Sequence, residues 1–295
     1  MQMADYLCCP ECKSGLLACE GGFRCKKCSK RYEVIEGIPI LVDLGNLTPY
    51  LQFQVRYFEE KTRATDAIFE LAPWQKNYVK KFVSNAGAIK DALVIDCGTG
   101  SGYMALELAK RDARVIACDL TLKSLIQLKR TVEERGQSDN ILLVCCTAES
   151  LPFKGGIADY FISNAVLEHL PKDKEAISEM GRVTGSSAIA MVAVPFSYRY
   201  IHPLLLPINL FHDWRIGHLR RYDEKKVAED FRGWTIKKTF FTGHTAKAMK
   251  ALTNMVAKAF DEDGIEAEDE NKHAVRWGAH NMISFLAKKP KRFKR

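Results

Sequence analysis

The sequence predicts an open α/β domain preceded by a small module held together by a metal ion. Two Cys-x-x-Cys pairs, Cys9/Cys12 and Cys25/Cys28, stand near the start. A glycine-rich loop, Asp96-Cys97-Gly98-Thr99-Gly100-Ser101-Gly102, joins an apolar run to a helical pattern. A second apolar run, Arg114 to Cys118, ends in Asp119, 23 residues beyond Asp96. Strand, tight turn, helix and strand in that order open a parallel sheet.

A chain of 295 residues with 47% apolar content has room for one large domain and one small one. It contains no run of about 18 apolar residues, so no transmembrane helix is indicated. Met1-Gln2-Met3-Ala4-Asp5 lacks the basic and apolar regions of a secretory signal. Six of the ten cysteines lie in the first 28 residues, and Cys97, Cys118, Cys145 and Cys146 fall in or beside expected strands. That split suits a reducing compartment, and a cytoplasmic location is expected. The net charge of +8 is unevenly spread: Lys288 to Arg295 carries six basic groups and Asp261 to Glu270 seven acidic ones. The two runs read as a solvated tail and a solvated loop. The tail also offers phosphate contacts to RNA or to an anionic membrane surface.

The cysteine module comes first in the chain. A gap of two residues lets both thiolates of a pair face one ion from a tight turn, and two pairs complete a tetrahedral sulfur site. Cys9, Cys12, Cys25 and Cys28 are therefore the expected ligands of a structural Zn²⁺, with Cys9 preferred to Cys8 because it keeps the spacing. Tyr6 to Lys13, Tyr32 to Glu36 and Gly37-Ile38-Pro39-Ile40-Leu41 resemble the small zinc-ribbon activator subunit of tRNA and protein methyltransferases. Residues 1–48 hold six Lys/Arg and six Asp/Glu, so four thiolates on one Zn²⁺ leave the module slightly negative. A nucleic-acid finger needs a basic face instead.

Between the module and the sheet, Leu51 to Leu71 reads as an amphipathic helix, and Pro73 starts a second one running to about Val83. Trp74, Tyr78 and Phe82 share one stripe of it, as core or lid residues.

In the glycine loop, a dinucleotide fingerprint would place its third glycine at position 103. Tyr103 stands there, and the glycine comes one residue earlier, at Gly102. Asp96 would also sit poorly beside a pyrophosphate, whereas it suits a cationic methyl donor. Asp119 can accept both hydroxyls of a ribose.

Val94 to Gly102, Val115 to Leu120, Thr147 to Phe153 and Asp159 to Leu170 together resemble class I S-adenosylmethionine-dependent methyltransferases, especially the ubiquinone and menaquinone group. The resemblance implies a Rossmann-like seven-stranded sheet, mostly parallel with one antiparallel strand and helices on both faces. Apolar runs at 92–96, 114–118, 141–145, 158–163, 187–193, 234–240 and 280–287 agree. It further implies S-adenosylmethionine as cofactor, held by Asp96, Gly98, Thr99, Gly100, Gly102, Asp119 and Leu120. Thr147, Ala148 and Glu149 would line the adenine, with Thr147 where the family usually has aspartate. Ser163 and Asn164 would lie beside the methionine moiety and the methyl.

The acceptor is less legible. His169, with Glu168, follows the fourth strand near the expected methyl position, in a structural or a catalytic role. Residues 195–222 mix apolar side chains with histidines and arginines, as a substrate lid does, and Pro203 and Pro207 argue against a long helix there. His212 and Asp213 form the candidate base pair, while Arg220 or Arg221 would hold an anionic substrate or a salt bridge. Thr245 to Phe260 reads as a further helix, with its apolar stripe in core or at an interface.

The expected organisation is a zinc ribbon at 1–45, a helical linker and cofactor lid at 46–90, and a class I domain at 91–295 with insertions at 195–222 and 244–278. The leading expectation is an enzyme that methylates a small or lipid-linked metabolite. The alternatives are an RNA methyltransferase using its basic tail and a non-catalytic cofactor-binding scaffold. Ser163-Asn164-Ala165-Val166 replaces the Asn/Asp-Pro-Pro-Tyr stretch of many base amino-group methylators, which argues against an adenine-N6 enzyme.

Overall fold

Seven strands form the main sheet of the computed structural model, which describes residues 3–63, 70–244 and 262–289. A short helix, α1 (Met3–Tyr6), precedes a ribbon of four antiparallel strands: β1 (Leu16–Cys19), β2 (Gly22–Cys25), β3 (Arg31–Ile35) and β4 (Ile38–Pro39). Helices α2 (Pro49–Arg63) and α3 (Pro73–Ala86) follow. The helix expected over 51–71 is thus seen to Arg63, and its remainder lies outside the described residues.

The main sheet contains β5 (Leu93–Cys97), β6 (Arg114–Asp119), β7 (Ile141–Cys145), β8 (Ala158–Asn164), β9 (Thr184–Pro195), β10 (Trp234–Thr242) and β11 (Asn281–Lys288). Their order is β10-β11-β9-β8-β5-β6-β7. β11 runs antiparallel to both of its neighbours and the other pairs are parallel, as the resemblance implied. β5 lies between β6 and β8, so the strand order reverses there. A ligand crevice opens at the carboxyl ends of strands at such a switch point.

The strands are apolar on both sides because both faces are covered. On one face Val94, Val115 and Leu143 pack under α3, α4 (Tyr103–Ala109) and α5 (Leu122–Glu134). On the other, Ile95, Ile116 and Val144 pack under α6 (Asp173–Val183), α8 (Glu224–Asp230) and the ribbon itself. The ribbon is therefore part of the main core. Leu7, Ile38 and Leu41 are at most 1% exposed, each contributing about 2 kcal/mol by burial. Leu41 N–H donates to Cys145 O at 2.8 Å, extending the β7 edge, and Cys8 N–H donates to Pro152 O at 2.8 Å. Lys13 ion-pairs with Glu179 of α6 at 2.7 Å.

Two expectations need correction. Residues 195–222 do contain a regular helix, α7 (Leu206–Ile216). Pro207 lies in its first turn, where no backbone N–H is required, so proline starts the helix rather than breaking it. The acidic run is not a solvated loop but α9 (Glu262–Asn271), docked on α3. Glu266 and Glu270, one helical turn apart, meet Asn77 and Lys81, also one turn apart. The Lys81 ammonium is buried and needs that carboxylate, 3.3 Å away. The helix expected over 245–260 lies outside the described residues.

Candidate active site

β5 delivers Asp96 and the glycine loop to the switch point. Gly98 and Thr99 donate their backbone N–H groups to Cys118 O on β6, which folds the loop back over the sheet. Gly98 and Gly102 have φ of +73° and +75°. A Cβ at Gly98 would overlap Val166, and one at Gly102 would overlap Leu128. Glycine is therefore required at both positions by conformation and by contact. Gly100, at φ +52°, faces open space, so its backbone is accessible to a ligand. Gly102 caps α4, whose N-terminus points into the crevice.

Two carboxylates flank this loop at the ends of adjacent strands. Asp96 is 3% exposed and accepts the Thr99 hydroxyl at 2.7 Å. Among the described residues it has no salt-bridge partner, and burial pushes its pKa up to about 6. A buried carboxylate in that position fits an ammonium group. Asp119 accepts the N–H of Gly100 at 2.9 Å and of Thr121 at 2.8 Å, and burial raises its pKa as well. Next to it, Leu120 and Leu122 line a cavity of about 370 Å³ with Leu44, Leu47 and Val55. Gln52, Arg56 and Glu59 complete its lining, and such a mostly apolar slot beside a hydroxyl acceptor suits a nucleoside.

Thr147 accepts the Glu149 N–H at 3.3 Å and starts a short turn through Ala148, while Glu149 accepts the Lys172 N–H at 2.7 Å. Ser163 pairs in register with Cys97, and the Asn164 amide donates to the Tyr103 hydroxyl. The residues expected around a cofactor thus stand on the ends of β5, β6, β7 and β8, along one edge of the sheet.

Beyond β8 the chain turns through Ala165, at φ +55°, into a buried polar cluster. Glu168 is 1% exposed and His169 9%. Burial lowers the His169 pKa to about 3, so the ring is neutral, and among the described residues its Nδ1 has no hydrogen-bond partner. Phe58 of α2 packs edge-on against it at 5.4 Å.

His218 joins this cluster from the end of the lid. Its Nδ1 lies 2.9 Å from Asp213 Oδ1 and its Nε2 3.8 Å from Glu168 Oε1. Asp213 also accepts from Arg221 at 2.6 Å and from the Tyr198 hydroxyl at 2.5 Å. Although burial opposes its charge, the bonds from His218, Arg221 and Tyr198 hold its carboxyl well below the usual range. With Nδ1–H donating to that carboxylate, His218 Nε2 is left as an acceptor. One oxygen or nitrogen each from Glu168, His169 and His218 lie within 4.8 Å of one another. That donor set can hold a proton or a divalent cation.

The sequence paired Asp213 with His212, but the structure puts His218 on Asp213. Adjacent residues on a helix point about 100° apart. Gly217, at φ +77°, instead ends α7 and folds His218 back over it. The His212 ring centroid is 6.1 Å from that of His218. The available signal was a carboxylate in the last turn, a glycine stop and a histidine immediately after. Arg220 and Arg221 are both in salt bridges, to Asp173 at 3.4 Å and Asp213 at 2.6 Å.

The four ribbon cysteines converge. Cys9 and Cys28 Sγ are 3.7 Å apart, Cys12 and Cys25 Sγ 3.4 Å, and all four lie within 4.8 Å. Thiolates at zinc bond length on a tetrahedron are about 3.8 Å apart. The N–H groups of Lys27 and Cys28 point at Cys25 Sγ at 3.4 Å, as donors around a thiolate do. The donor set fits one Zn²⁺.

Comparison with known proteins follows this geometry. Residues 95–192 match the family model described as a methyltransferase domain. Over 91 residues the chain is 30% identical to the tRNA 5-carboxymethoxyuridine methyltransferase of Escherichia coli, covering 30% of this chain and 35% of that protein. The chain thus spans about a third of that relative's length. It is 25% identical over 202 residues to the demethylmenaquinone methyltransferase of Oceanobacillus iheyensis, covering 62% of this chain and 81% of that one. The geranyl diphosphate C-methyltransferase of Streptomyces coelicolor, solved with S-adenosyl-L-homocysteine, shares the fold. It has a TM-score of 0.61 and 12% identity, covering 82% of this chain and 98% of that one. Residues 95–192 thus carry a methyltransferase domain, set in the sheet order and glycine loop of the class I methyltransferase fold.

Proposed function

We propose that this protein transfers the methyl group of S-adenosylmethionine to a small or lipid-linked acceptor. The observation that carries the reading is the pair of carboxylates, buried Asp96 and half-buried Asp119, on neighbouring parallel strands around an open glycine backbone. Asp96 would face the ammonium group, Asp119 the ribose hydroxyls, and Leu120 the base. Thr147, Ala148 and Glu149 would border the adenine, with Ser163 and Asn164 beside the methionine end. When bound, the cofactor supplies an electrophilic methyl on a sulfonium.

The chain's own contribution is alignment, exclusion of water and removal of a proton. His218 is the residue oriented to accept that proton at Nε2, with Asp213 fixing its tautomer and stabilising the charged ring. Glu168 and His169 complete the polar wall on the same side. Cys9, Cys12, Cys25 and Cys28 would hold a closed structural zinc with no position for substrate. The free cysteines of the described chain fit a reducing, cytoplasmic setting. Docking of the ribbon on its own sheet supports a metabolite acceptor over RNA, because the cysteine module is occupied within the molecule.

Calorimetry with zinc-loaded protein is expected to show one S-adenosylmethionine per chain. No binding would remove the reading. With a labelled donor and a cell extract, label is expected in the organic-soluble or small-molecule fraction. Label in RNA would replace the acceptor class.

A further inference from the structure

The outward face of α7 is apolar where a surface helix is ordinarily polar. Its inward residues Asn209, Asp213 and Ile216 are buried, and Asp213 anchors the polar cluster below. Facing solvent are Leu204, Ile208, Leu210, Phe211, Trp214 and Leu219, with Leu204 80% exposed, Trp214 76% and Phe211 60%. Exposed apolar groups are common singly, but six on one short segment form a binding surface. A second loop continues the patch: Gly278 N–H donates to Tyr200 O at 2.8 Å, and Trp277 in that loop is 56% exposed.

The exposed charge on the α7 segment itself has one sign. Residues 196–222 contain four arginines and a single acid, Asp213, whose carboxylate is buried against Arg221. Arg199 and Arg215 are exposed beside the apolar side chains. A short segment combining Trp, Phe and Leu with Arg and lacking exposed acid has the chemistry of a helix lying in the headgroup region of a bilayer. A two-fold contact between copies would bring these arginines together with no exposed acid on the segment to offset them. No described helix is long and apolar enough to cross a membrane, so the segment lies on the surface rather than spanning it.

We propose that the outer face of α7, with Trp277, docks this protein onto an anionic phospholipid surface. The inner face of the same helix carries Asp213, so docking sets the lid of the site against the lipid phase. An apolar acceptor then reaches the site from the bilayer without crossing water. That delivery rests on the methyl-transfer reading, whereas the docking itself does not.

The test uses the full zinc-loaded chain with vesicles of phosphatidylglycerol or of phosphatidylcholine. Wild-type protein is expected to co-sediment with the anionic vesicles at physiological salt and only weakly with the neutral ones. The triple variant Leu204→Ser, Phe211→Ser, Trp214→Ser changes exposed positions alone and is expected to lose about tenfold or more in partitioning. A variant with the basic residues of 291–295 changed to glutamine is expected to keep its binding. The proposal falls if wild type ignores anionic vesicles, if the triple variant binds equally well, or if the tail variant loses binding. It also falls if wild type is a dimer that the triple variant converts to monomer, since the face then covers a second copy. Calorimetry with S-adenosylmethionine on the same samples separates the two readings. Normal vesicle behaviour without cofactor binding removes the methyltransferase reading and leaves the docking intact.

Discussion

Asp96 shows how a single buried carboxylate ties stability to function. Burial lifts its pKa from an unfolded value of 3.8 to about 6 in the fold. The group therefore favours the folded state below pH 4, and this contribution is lost as pH rises through 6. At neutral pH the buried charge costs about 3 kcal/mol until a cation faces it. Asp96→Asn is expected to raise the melting temperature of the ligand-free protein at pH 8 by about 4 °C. The gain should vanish by pH 4, and S-adenosylmethionine affinity should fall about tenfold, as melting curves and calorimetry can check. An unchanged melting temperature at pH 8 would mean that the charge is compensated in the folded state. At the same scale, Asp96 and Asp119 were legible because each ends an apolar run, and strand ends are positions a sequence marks. The partnership of Asp213 with His218 was not legible. It depends on a left-handed glycine that folds the chain back over a helix end, and composition does not register that turn.

At the scale of elements, the glycine loop joins β5 to α4 under two separate constraints. Gly98 requires a positive φ and also yields its missing Cβ to Val166 from the segment after β8. Gly98→Ala is expected to destabilise the protein by about 2 kcal/mol and to weaken cofactor binding at least tenfold. Adding Val166→Ala should recover part of the stability, because it relieves the overlap and leaves the strained backbone. If the double variant melts no higher than Gly98→Ala, the contact contributes nothing. The seven strands agree with the sequence reading to within three residues at each end, because fully covered strands leave long apolar runs. Helices α7 and α9 were misread for opposite reasons. Proline was counted as a breaker where it served as a start, and an acidic run was counted as loop where its charges had a lysine on α3 to meet.

Over the whole molecule, the ribbon and the sheet share one core. Leu7, Cys9, Tyr32 and Leu41 pack in the same cluster as Ile95, Ile116 and Val144. Metal removal should therefore reach the sheet domain, since zinc held by the four cysteines would supply folding energy to the ribbon that covers one sheet face. Chelation, or Cys12→Ser, is expected to lower the melting temperature of the entire protein by more than about 5 °C in one transition. Two separate transitions, with the upper one unmoved, would show the ribbon to be an independent appendage.

The sequence by itself determined the parts that are local in the chain. The cysteine pairs, the glycine loop with its two acids, and the run of covered strands each need only near neighbours to be recognised. From these came the fold class and the expected cofactor edge. Only the tertiary structure decided what those parts face. It set the ribbon against its own sheet and brought Glu168, His169 and His218 together from two segments some fifty residues apart. It also turned six apolar side chains on and beside α7 outward. Which side of a helix is buried, and which histidine meets which carboxylate, is settled by packing between distant elements. The residues in such contacts carry no periodicity of their own that could announce them in advance.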